Sequence, residues 1–121
     1  MTEIQNSKRY DLEERTLKFA KQVRDFVKNL RKILANTEDG KQLIKASGSV
    51  GANYIEANEA LSKKDFLMHI KICRKEAKES GYWLALVDTK GDSELENKRH
   101  ELIQEVTELT NIFGAILRKS Q

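Results

Sequence analysis

The chain has 121 residues, with 22 Lys or Arg against 19 Asp or Glu for a formal net charge of +3, one cysteine and no proline. This is the size of one domain. A single cysteine excludes an internal disulfide and a zinc cluster built from several thiols, and no stretch approaches the ~20 apolar residues of a membrane span. The polar start, MTEIQNSKRY, has no apolar run of the signal-peptide kind. The expected setting is the cytoplasm.

Residues 1–10 are expected to form a flexible tail and 11–119 a single domain. Asp11 and Glu14 have capping-box spacing, which predicts a first helix from about residue 11 to about 35. Along it Leu12, Thr16, Phe19, Val23, Phe26, Leu30 and Ile33 recur at gaps of four and three, the repeat of a helix packed in a bundle. Asn36 to Gly40 (NTEDG) reads as a turn. A second helix follows, from about Gly40 to about Leu61. Leu43, Ser47, Val50, Tyr54, Ala57 and Leu61 form one stripe on it, and Ile44, Gly48, Gly51 and Ile55 form another beside it. Glycine inside a helix costs about 1 kcal/mol against alanine, so two in one turn predict the close approach of another backbone. Two adjacent stripes are wider than one bundle core needs, so the second predicts a further partner surface.

Ser62 and Asp65 cap a third helix from about Lys63, with Phe66, Ile70, Cys73, Ala77, Ser80, Leu84 and Val87 on its stripe. The run Tyr82 to Val87 is apolar on every side, and a small monomeric bundle rarely buries such a run all round. Gly48, Gly51, Ile55, Tyr82, Trp83 and Leu86 are therefore candidate oligomer contacts. Asp88 to Asp92 turns around Gly91. Ser93 and Glu96 have the spacing to cap a fourth helix, lined by Leu95, Leu102, Val106, Leu109, Phe113 and Ile116 and ending near Arg118. Four similar helices with short turns predict an all-α, antiparallel up-down-up-down four-helix bundle.

Chemistry is harder to find. A ferritin-like di-metal site needs a Glu three residues before a His, and neither His69 nor His100 has one. Glu56, Glu59, Glu76 and Glu79 lie at helical spacing, as on a solvated face. His69 lies one turn before Cys73, but a thiol on a core stripe has a raised pKa and little reactivity. Gly48 and Gly51 follow no strand and lack the Lys-Ser of a phosphate loop. No catalytic residue, metal, cofactor or small-molecule substrate is expected. The cations are more informative. Lys21, Arg24, Lys28 and Arg31 form one helical row, extended by Lys18 and Lys32, and Lys63, Lys64, Lys71, Arg74, Lys75 and Lys78 add a second basic source on helix three. One reading is a strip that binds nucleic-acid phosphates through Lys18, Lys21, Arg24, Lys28, Arg31, Lys71, Lys75 and Lys78. The other pairs helix one with Glu101, Glu105 and Glu108 of helix four, a lattice worth little per exposed pair.

Two segments, QLIKASGSVGANYIEA (42–57) and KDFLMHIKICRKEAKESGYWLALV (64–87), carry a resemblance. Their S-V-G-A-N-x-x-E core, following K-D-F and K-E-A-K-E-S-x-Y-W-L run resemble the bacterial four-helix-bundle proteins first known from intervening sequences of 23S ribosomal RNA genes. The resemblance implies a small bundle assembled as a ring-like homopentamer. It also implies kinship to accessory proteins of diversity-generating retroelements, basic pentamers that bind nucleic acid and a reverse transcriptase. It implies no enzymatic activity. This chain differs from those accessory proteins in its milder basicity and its acidic fourth helix. The expected function is a non-enzymatic oligomer that engages RNA or a nucleoprotein. The alternative is a structural adaptor that binds a protein partner and has no nucleic-acid role.

Overall fold

The computed structural model describes residues 2–120, with side chains from 12 to 120. The expected tail, residues 1–10, lies outside the residues whose side chains are described. Four helices are present: α1 (Thr2–Asn29), α2 (Leu34–Asn58), α3 (Lys63–Leu86) and α4 (Ser93–Ser120). Among the described residues there is no strand. Each helix packs on the next and α4 packs back on α1, while α1 and α3, like α2 and α4, lie diagonally without backbone contact.

The period-of-seven stripes become the core, because residues three and four apart share one helix face. Phe19, Val23 and Phe26 of α1 meet Leu43 and Val50 of α2, Ile70 and Leu84 of α3, and Leu102, Leu109 and Phe113 of α4, all at most 1% exposed. Tyr54 reaches Phe113 across the centre, with ring centroids 6.1 Å apart. Fully burying one such side chain stabilises by about 1.5–3 kcal/mol.

Element boundaries depart from expectation in three places. First, α1 begins at Thr2, so the Asp11 backbone lies within the helix and starts nothing. The same helix stops at Asn29, and Leu30 to Ile33 make the connection. Second, Asn36 to Gly40 is not a turn but the opening of α2. Two tertiary contacts override its turn-like composition. Asn36 is buried; its amide donates to the Arg31 and Asp88 carbonyls at 3.1 and 2.8 Å and its Oδ1 accepts from the Asp88 N–H at 2.9 Å. Gly40 faces Val27, whose Cγ1 lies 3.0 Å from where a Cβ would stand. Third, α2 ends at Asn58, so Leu61 falls in the next connection and is wholly exposed.

The Ser62 cap forms as its spacing predicts, its hydroxyl accepting from the Asp65 N–H at 3.1 Å. At α4 the cap is Asp92 rather than Ser93, its carboxylate accepting from the Leu95 N–H at 3.0 Å. Glu96 is drawn elsewhere, to the Thr89 hydroxyl and Arg99. Arg99 also donates to the carbonyls of Leu84, Ala85 and Val87, capturing the orphan acceptors at the end of α3. Hydrogen bonds from Thr89, then from Arg99, hold the Glu96 carboxyl below the usual carboxylate range. Lys90 and Gly91 take positive φ in this turn, 56° and 74°.

Candidate nucleic-acid interface

On α1 the apolar positions face inward, and Lys21, Arg24 and Lys28 lie on the part of the helix turned toward α2 and solvent. Arg31, expected in the same helical row, falls in the connection because α1 ends at Asn29. All four, with Lys18, are exposed. Lys21 and Arg24 edge a groove of about 730 Å³ between α1 and α2, whose walls include Leu17, Ala20, Ala52 and Ile55, with Glu13 and Glu14 at the same edge. Lys28, Arg31, Lys32 and Lys41 edge a second hollow of about 340 Å³ further along the same seam.

The charge lattice between α1 and α4 forms in part, through Arg15 and not through the lysine and arginine row. The α4 carboxylates Glu105 and Glu108 are taken by Arg15, at 2.8 and 3.3 Å. Glu101 is exposed. Among the described residues, none of Lys18, Lys21, Arg24, Lys28 or Arg31 joins an ion pair. The reason is rotational: Arg15 is on the α4 side of α1, whereas the lysine and arginine row is on the α2 side.

Lys71, Lys75 and Lys78 are exposed on α3. Because α3 lies diagonally across from α1, the two basic sets are on opposite sides of the bundle and do not form one surface. The fold instead groups part of the α3 set with a residue that spacing could not connect to it. Arg118, in the last turn of α4, comes beside Arg74 over Gly114. No sequence signal links them, since they belong to different helices.

The candidate oligomer contacts divide. Gly51 is approached from within the chain: a Cβ there would stand 3.0 Å from Thr16 Oγ1 and 3.2 Å from its Cβ. Gly48 lies under the Arg24 guanidinium, at 3.6 Å. Ile55, Tyr82 and Leu86 are exposed by 56%, 61% and 48%, so this chain alone leaves them uncovered. Trp83 is half-buried against the core and meets Tyr82 edge-on at 5.1 Å.

The remaining titratable groups have structural explanations. Cys73 is fully buried and its thiol donates to the Val50 carbonyl at 3.4 Å; burial pushes its pKa up to about 12. A thiol so protected is a poor nucleophile. His69, one turn away, bonds Asn53 Oδ1 at 3.2 Å, and the Asn53 amide donates on to Ser49. Partial burial, and then the neighbouring Glu79, raise the Glu76 carboxyl. Glu56, Glu59 and Glu79 are exposed. Among the described residues no three His, Cys, Asp or Glu side chains gather to hold a metal ion, and no helix is long and apolar enough to cross a membrane.

Fold and surface together define a four-helix, all-α protein with exposed cationic rows and no assembled catalytic group among the described residues. The model of the 23S rRNA-intervening sequence protein family matches residues 8–115, and the chain belongs to that family. A solved structure from Bacteroides thetaiotaomicron VPI-5482, a protein of unknown function from the S23 ribosomal protein family, superposes with a TM-score of 0.74 at 27% identity, covering 92% of this chain and 98% of that one. No curated protein matches the chain.

Proposed function

We propose that the protein is a non-enzymatic, cytoplasmic, antiparallel four-helix bundle that self-associates, as a homopentamer, and engages RNA or a nucleoprotein through its exposed cationic rows. The observation that carries this reading is the cationic line at the α1–α2 seam: Lys21, Arg24 and Lys28 of α1 and Arg31 of the connection after it stand exposed, and Glu105 and Glu108 of α4 pair with Arg15 instead. Cations left in a row attract phosphates and release their counterions on binding. No constellation here reads base edges, so binding depends little on sequence. The short connections support the up-down topology. The family resemblance supports the pentamer, in which the row is repeated and weak contacts on one long RNA add by avidity.

The α1–α2 groove, with Leu17 and Ile55 on its walls, and the exposed pair Tyr82 and Leu86 favour a second reading, a protein adaptor. Fluorescence anisotropy with labelled single-stranded RNA separates the two. The triple change Lys21→Glu, Arg24→Glu and Lys28→Glu should abolish binding while helicity and oligomer mass persist. A folded triple variant that binds as well as wild type would leave the adaptor reading standing.

A further inference from the structure

The seam between α3 and α4 carries a second arrangement of cations, different in kind from the α1 row. Gly114 is buried on α4, and two guanidiniums close over it. Measured from where its Cβ would stand, Arg118 Nη1 is 3.4 Å away and Arg74 Nε 3.5 Å away. The absence of a side chain at 114 lets both heads lie over the helix backbone, at 3.4 and 3.5 Å from one point. Two like charges converging on one point repel, and an anion bound between them offsets that repulsion. Yet neither arginine joins an ion pair among the described residues.

The surroundings have the same sign. Gly81 of α3 lies against Val106 of α4, 3.4 Å from its would-be Cβ to Cγ1, which fixes the facing rows. On α3 the row through Arg74 reads Leu67, Lys71, Arg74, Lys78 and Gly81, and on α4 the row through Gly114 reads Ile103, Thr107, Thr110, Gly114 and Arg118. In a chain with 19 carboxylates, neither row holds one. The α1–α2 groove, by contrast, has Glu13 and Glu14 at its edge.

We infer that Arg74 and Arg118 form an oxyanion site for a phosphate group, with Gly114 as its floor and Lys71 and Lys78 supplying flanking charge. A tetrahedral phosphate has several oxygens that each accept a charge-assisted bond at about 2.8 Å, so one group placed over Gly114 can reach both guanidiniums. Arginine suits the task better than lysine because its planar fork donates two parallel bonds. The phosphate is either that of a polynucleotide backbone or that of a small free phosphate. The first source rests on the function proposed above; the site itself does not.

Heteronuclear NMR of the full chain tests the site and its source separately, because the Gly114 amide reports at the floor. Titration with inorganic pyrophosphate should shift that amide saturably, beyond any change caused by sodium chloride of equal ionic strength. The exposed changes Arg74→Gln and Arg118→Gln should each weaken pyrophosphate about tenfold, the loss expected for a hydrogen bond to a charged group. Lys21→Gln should not. An unmoved Gly114 amide, a shift matched by chloride, or equal affinity in the two arginine variants would overturn the site. Single-stranded RNA is the second arm. If it shifts Gly114 and competes with pyrophosphate, the source is a polynucleotide. If pyrophosphate binds and RNA leaves Gly114 unmoved, the site stands for a small phosphate, and the RNA reading must rest on α1 alone.

Discussion

The α1–α2 and α3–α4 seams are built from the same parts, two helices with glycines facing a neighbour, and Gly51 in the first and Gly114 in the second show two opposite uses of such a glycine. Each seam also holds the other kind, Gly48 under Arg24 and Gly81 against Val106. At the first, Gly40 and Gly51 admit packed side chains, Val27 and Thr16, at 3.0 Å from a would-be Cβ. At the second, Gly114 admits two charged heads that are free to move away. A helical glycine is thus a packing device where its neighbour is locked and a surface device where it is not. Thr16 is locked: it is buried and its hydroxyl donates to the Leu12 carbonyl at 2.8 Å.

The core beneath the seams sets the largest expected effect. Leu84, which is fully buried, should cost about 2–5 kcal/mol as Leu84→Ala, the range for large-to-small changes that leave a cavity. Chemical denaturation measures it, and a cost below about 1 kcal/mol would place the residue outside a packed core.

Next is the contrast between glycines. Both substitutions to alanine gain about 1 kcal/mol of helix propensity. Gly51→Ala also drives a methyl into Thr16, and overpacking of that kind costs about 1–3 kcal/mol. Gly114→Ala meets only the ends of two flexible side chains at ordinary contact distance. Thermal melts should therefore show Gly51→Ala as neutral to destabilising and Gly114→Ala as neutral to stabilising. The reverse order would mean that the two glycines do not differ in this way.

A smaller effect belongs to the end of the bundle where both seams close. Asn36→Ala removes three hydrogen bonds that tie the α1–α2 connection to the α3–α4 connection, and the Asp88 N–H is left without its partner. About 1–3 kcal/mol should be lost. A loss near zero would show that water replaces the amide without penalty.

How much of this the sequence revealed depends on the range of the interaction involved. The four stripes were legible because helical periodicity is local, and the Ser62 cap because its partner is three residues away. Asn36 to Gly40 misled because Asn, Asp and Gly favour turns by local chemistry, while the contacts that keep them helical come from Val27 and Asp88. Ser93 misled by one position, since Asp92 caps equally well and Glu96 is claimed by Arg99. The charges of α1 and α4 were visible, but not the rotation that gives Glu105 and Glu108 to Arg15. Arg74 with Arg118 was invisible for the same reason: only the packed bundle brings those residues together.

The central claim is that the exposed cations bind a polyanion. Its most direct test is the salt dependence of wild-type binding to single-stranded RNA of about 30 nucleotides, measured by anisotropy from about 50 to 200 mM salt. Three or four phosphate contacts, at about 0.7 each for single strands, predict a log–log slope of roughly −2 to −3. No binding at the lowest salt, or a slope near zero, would contradict the account.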